Sequence, residues 1–63
     1  MKALDAELLR AAEILEREAG ILRDSCAVRR GRGLDWCGET QAKADHDEML
    51  AIARSLRRVV GTL

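Results

Sequence analysis

Proline, phenylalanine and tyrosine are missing altogether from this 63-residue chain, which carries one Trp, one His and two Cys. Without proline, no position is obliged to interrupt a helix. Two cysteines are too few for the disulfide scaffold of a small secreted domain. A lone aromatic side chain argues against the stacking platforms that hold single-stranded nucleic acid. An excess of charge of one sign is missing too. The 11 basic residues balance 11 acidic ones, whereas a protein that coats DNA brings surplus Lys and Arg to the phosphates. No apolar run approaches the roughly 18 residues of a membrane span. The opening residues, Met1 to Glu7, lack the apolar centre of a signal peptide. The expectation from these absences is a cytoplasmic protein in a reducing compartment, without a membrane segment.

What is present is helical periodicity. The chain is 48% apolar and 35% charged, too apolar for a disordered segment, and residues 1–63 are short enough to form one domain at most. Over residues 3–27, Leu4, Leu8, Ala11, Ala12, Leu15, Ala19, Leu22 and Cys26 fall on one stripe at 100° per residue. Glu13 precedes Arg17 by four residues, the favourable order for an exposed pair. Gly20 is an internal weakness, worth about 1 kcal/mol relative to Ala. Gly31 and Gly33 read as terminators. Over residues 40–60, Ala42, His46, Met49, Leu50, Ala53, Leu56 and Val60 line a second stripe. Acids come early there and bases late, as the helix dipole favours. Thr40 or Asp35 suits the N-cap, and Gly61 reads as the stop. Residues 28–39, rich in Gly and charge, form the loop between them, with no strand-like alternation. The fold class is therefore all-α, an antiparallel two-helix hairpin.

Two helices bury only one seam, which is too little for a chain this short to be comfortable alone. The first helix has apolar surface to spare. Ile14, Ile21 and Val28 form a second line at seven-residue spacing, a quarter turn from the main stripe, and Ile52 and Val59 repeat the device on the second helix. The expectation is a homodimer in which these lines join two hairpins into a four-helix bundle. Glu18 falls between the two apolar lines, where a charge needs a partner or a route to water.

Candidate chemistry is sparse. Cys26, Cys37 and His46 are the metal suspects, but their spacing matches no closed zinc site, and Cys26 and His46 sit on the apolar stripes, so no metal or cofactor is expected. Asp45, His46, Asp47 and Glu48 have the composition of a catalytic cluster, yet consecutive helical side chains fan out at 100° steps and do not face one substrate. No catalytic residue is assigned and a non-enzyme is expected. Arg29, Arg30 and Arg32, interleaved with glycines, are suited to clamping a phosphate or a carboxylate-rich protein surface. Trp36 stands beside them, either as a plug over the end of the helix pair or as an interface anchor, since Trp and Arg dominate binding hot spots. These four are the candidate partner-binding residues.

Residues 8–19, Leu-Leu-Arg-Ala-Ala-Glu-Ile-Leu-Glu-Arg-Glu-Ala, with Leu22 to Cys26, Trp36 and Ala42 to Asp47, carry a likeness in order and texture. In these the chain resembles short helical proteins of temperate phages and prophages. That resemblance implies an accessory protein that binds and blocks a host protein, such as a defence complex. The architecture is also similar to that of the Rop-type plasmid copy-number proteins, whose dimers bind paired RNA loops. A homodimer that binds structured RNA is the alternative that likeness implies, although no RNA-contacting residue set can be matched onto this chain. The leading expectation is a non-enzymatic module acting by protein–protein contact, as an inhibitor or adaptor.

Overall fold

The computed structural model describes residues 3–62, with side chains described as far as Val60. Helix α1 spans Ala3–Cys26, strand β1 Val28–Arg30, strand β2 Gly33–Asp35 and helix α2 Thr40–Thr62. At 1.5 Å per residue each helix is about 35 Å long, and the whole body measures 42 × 18 × 17 Å. Two such helices fit that envelope only side by side. Glu16, ten residues before the end of α1, meets Arg57, seventeen residues into α2, so the pair is antiparallel.

The seam follows a seven-residue pattern. On α1, Asp5, Ala12, Ala19 and Cys26 take one set of core positions and Leu8, Leu15 and Leu22 the other. On α2, His46, Ala53 and Val60 alternate with Ala42, Met49 and Leu56. Ala12, Ala19 and Ala53 are at most 1% exposed, and among the described residues no large side chain is fully buried. Methyl groups at the centre let the helix axes approach closely. The leucines and Met49 flank that line, half-covered.

The connection departs from the expected loop. Residues 28–35 form a two-stranded antiparallel ribbon, with Val28 opposite Asp35, Arg29 opposite Leu34 and Arg30 opposite Gly33. Gly31 and Arg32 make its two-residue turn. Gly31 has φ +58 and Arg32 is not among the positive-φ residues, the sign pattern of a type II′ turn, whose twist matches that of the strands. Gly31 is therefore a hairpin residue rather than a helix terminator. α1 ends earlier, after Ala27 N–H donates to the Arg23 carbonyl at 2.8 Å. Val28 consequently lies in a strand and not on the helical line of Ile14 and Ile21.

Other local expectations need correction. Neither Thr40 nor Asp35 is the N-cap of α2: the first helical bond runs from Lys43 N–H to the Glu39 carbonyl at 3.0 Å. Asp35 instead accepts from Cys37 N–H at 2.8 Å, a local turn that holds Cys37 at φ 55. The first turn of α2 holds no acid and its last turn no base, so the dipole contributes little, its reach being one turn. α2 continues through Gly61 to Thr62, which removes Gly61 as a stop. Glu13 pairs with Arg10 at 3.5 Å, while Arg17 approaches Glu18 at 3.8 Å.

Candidate functional site

Trp36 closes the hairpin at the base of the ribbon. Its ring centroid lies 5.0 Å from that of His46, the planes tilted at 55°, and both residues are buried, at 9% and 8% exposure. Of the two roles open to Trp36, the position is that of a plug, so the indole is not presented to a partner. His46 Nδ1 lies 3.0 Å from Asp47 Oδ1. That bond to His46, followed by one from Lys43 at 3.0 Å, holds the Asp47 carboxyl below its usual range. Asp45 turns away to accept from Gln41 at 2.8 Å. The Asp-His-Asp-Glu run thus disperses, as consecutive helical residues do. Cys26 and Cys37 are both free. Among the described residues there is no pocket, and no group of three or more His, Cys, Asp or Glu is placed to hold a metal ion.

The three loop arginines do not share one environment. Side chains of directly opposed strand residues lie on one face of a ribbon, which puts Arg29 with Leu34 on one side and Val28, Arg30 and Asp35 on the other. Arg30 Nε is held by Asp35 at 2.7 Å. Arg29 and Arg32 have no ion-pair partner within the described residues and are exposed. The tip therefore offers two free guanidinium groups beside an exposed Leu34, which is 40% accessible.

Along the helices the two edges of the seam differ. Glu16 and Arg57 both flank the seam on one edge, and Arg57 donates twice to Glu16, from Nε at 2.9 Å and Nη2 at 2.7 Å. The hydrogen bond from Arg57 lowers the Glu16 carboxyl below its ordinary value. In an antiparallel pair, equivalent flanking positions meet on the same edge, so this contact settles which residues line the other one. There stand Leu4, Ile14, Ile21, Ile52 and Val59, all between 38 and 57% exposed. Counting from the Glu16–Arg57 pair, two residues back on α1 and two onward on α2 bring Ile14 level with Val59. Five in the other direction bring Ile21 level with Ile52.

Sequence periodicity located Ile14, Ile21, Ile52 and Val59 on their separate helices; the structure places all four on one side of the molecule. Val28 is exposed on the ribbon instead. Leu4 and Leu34 were not singled out from the sequence. Leu4 falls on the main stripe of the sequence, and its place just off the seam is the signal that marks it. No protein-family model, curated protein or solved structure matches the chain. No helix among the described residues is long and apolar enough to cross a membrane.

Proposed function

We propose that this chain is a small non-enzymatic protein-binding module that works as a homodimer. Two hairpins join through the apolar edge into a four-helix bundle, and the arginine-bearing tips contact a second protein. The observation that carries this reading is the collection of Ile14, Ile21, Ile52 and Val59 on the edge opposite the Glu16–Arg57 bridge. A single hairpin leaves these side chains wet, and its fully buried core consists of alanines, a thin apolar core for 63 residues. A second hairpin on that edge covers both the exposed residues and the half-covered leucines beside them. The tip presents Arg29 and Arg32 beside an exposed Leu34; arginine is enriched in binding hot spots, and its planar fork suits a carboxylate-bearing protein surface. The resemblance to short phage proteins makes a host protein the partner class, with the chain as inhibitor or adaptor.

Sedimentation equilibrium over a wide concentration range tests the core of this reading. The expected result is a species of about 14 kDa, twice the 7.0 kDa chain. Ile21→Glu combined with Ile52→Glu is expected to give a monomer with its helical circular dichroism retained. A wild-type monomer at every concentration overturns the reading. Binding to structured RNA requires cations on one continuous face and falls steeply with salt. Here Arg29 and Arg32 lie at the tip, while Arg57 is held by Glu16 and Arg54 and Arg58 lie along α2.

A further inference from the structure

We infer that Cys26 and Cys37 are a redox pair at the base of the ribbon, which closes into an intramolecular disulfide by exchange with a small-molecule disulfide. The pair does not depend on the homodimer proposed above.

Three relationships converge on the pair. The first is the register of the ribbon. Val28 lies opposite Asp35, and two residues further along each chain the same register sets Cys26 opposite Cys37. Opposed residues of an antiparallel pair hold their Cα atoms about 4.5–5.5 Å apart, within the roughly 4.4–6.8 Å that a disulfide spans. The strands end at Val28 and Asp35, so the cysteines themselves are placed by the other two relationships.

The second is the direction of the Cys37 thiol. Hydrogen-bonded pairs alternate along an antiparallel ladder. The two-residue turn makes Arg30 and Gly33 such a pair, so Val28 and Asp35 are the next, and the Asp35 carbonyl points towards β1. Cys37 Sγ donates to that carbonyl at 3.7 Å, which puts the thiol on the side of β2 that faces β1 and the end of α1. The third is the seam. Cys26 is the last residue of α1 and half-buried. Counting ten residues on from Glu16 and ten back from Arg57 brings it level with Asp47, next to His46. Trp36, the neighbour of Cys37 in the chain, has its ring 5.0 Å from that of His46. Both cysteines therefore border the Trp36–His46 contact.

Their exposure sets the order of the exchange. Cys37 is exposed and Cys26 half-buried, and exchange begins at the accessible thiol. Cys37 Sγ gives up its proton and attacks one sulfur of the small-molecule disulfide; that S–S bond breaks and one thiol leaves. Cys26 Sγ then gives up its proton and attacks Cys37 Sγ in the mixed disulfide, and the second thiol leaves. Two protein thiols are oxidised and one external disulfide is reduced to two thiols. The new bond closes the loop of residues 26–37, which carries Arg29 and Arg32. It ties the cationic tip to the end of α1 and constrains the unfolded chain.

Equilibration of the wild-type chain in graded mixtures of glutathione and glutathione disulfide tests the pair. After free thiols are alkylated, trypsin cuts after Arg23, Arg29, Arg32 and Lys43, so residues 24–29 and 33–43 stay joined only if Cys26 and Cys37 are linked. The expected product is that joined pair of peptides, separated again by reductant. The equilibrium constant for closing is expected to be about tenfold or more greater in native buffer than in denaturing urea, because the fold holds the thiols together. A smaller excess over urea, or none, overturns the inference. So does a mixed disulfide that persists on Cys37, or residues 33–43 joined to a second copy of themselves. In Cys26→Ala, which keeps a small side chain in the seam, the mixed disulfide at Cys37 is expected to persist. If it is resolved as in the wild type, Cys26 is not the resolving thiol and the inference falls.

Discussion

The indole of Trp36 covers the imidazole of His46 at 5.0 Å and 55°, and with that contact the ribbon is fastened to the helix pair. Trp36 is the chain's one aromatic residue and the largest side chain in its core. Replacing it with Ala removes the cover from His46 and the anchor of the connection together. The expected cost is about 3 kcal/mol, the lower end for a buried Trp truncated to Ala, a large share of the stability available to so small a domain. Urea denaturation followed by circular dichroism measures it. Trp36→Phe, which keeps a ring against His46, is expected to lose less than half as much. Equal losses for both variants contradict a packing role.

Ala53 and Ala19 set the spacing of the helices. With both essentially inaccessible, a larger side chain has nowhere to go without moving a helix. Ala53→Leu is expected to destabilise by about 1–3 kcal/mol through overpacking, although Leu ranks just below Ala as a helix former. The same change at Ala51, exposed on the outer side of α2, is expected to be nearly neutral. Thermal denaturation of the two variants separates packing from propensity, since propensity alone treats them alike.

The Glu16–Arg57 bridge gives stability an acid-side dependence. The hydrogen bond from Arg57 lowers the Glu16 carboxyl below its ordinary 4.5, so around that pH the folded chain binds fewer protons than the unfolded one. Stability therefore rises with pH there. The contribution is fully present above about pH 5 and is lost as pH falls through the lowered folded value. Asp47, lowered from 3.8 by His46 and Lys43, acts in the same direction at more acid pH. Glu16→Gln is expected to flatten the upper part of this profile and leave the lower part to Asp47. Denaturation midpoints between pH 3 and 7 show whether the slope near 4.5 belongs to Glu16; an unchanged slope in the variant refutes the assignment.

The two helices were legible because seven-residue spacing over more than twenty positions leaves little room for another period. The ribbon was not, because strands of three residues hold no alternation to read. Its real signal was local: Gly31 as the first of two turn residues, the position a type II′ turn reserves for glycine. Missing it also misplaced Val28, which continues the Ile14 and Ile21 spacing arithmetically but lies beyond the helix. The edge-to-edge asymmetry was invisible for a different reason. Periodicity assigns a residue to a face of its own helix, whereas the relation of Ile21 to Ile52 depends on how the helices pair. Only a contact between helices, such as Glu16 with Arg57, supplies that.

Glu18 is the residue on which the apolar edge is most open to improvement. It lies between Ile14 and Ile21 on that edge, and its ion-pair contact among the described residues is with the neighbouring Arg17 at 3.8 Å, both side chains more than half exposed. In a dimer through this edge, covering it takes the Glu18 carboxylate of each copy away from water, which opposes association. Glu18→Gln keeps the shape, removes both charges, and is expected to tighten the dimer by about tenfold, on the order of 1.4 kcal/mol. Glu13→Gln, on the other side of the same helix, is expected to leave the affinity unchanged. Sedimentation equilibrium of the two variants at neutral pH decides between them. If Glu18→Gln weakens the dimer, the carboxylate has a cationic partner across the interface and fixes its register instead.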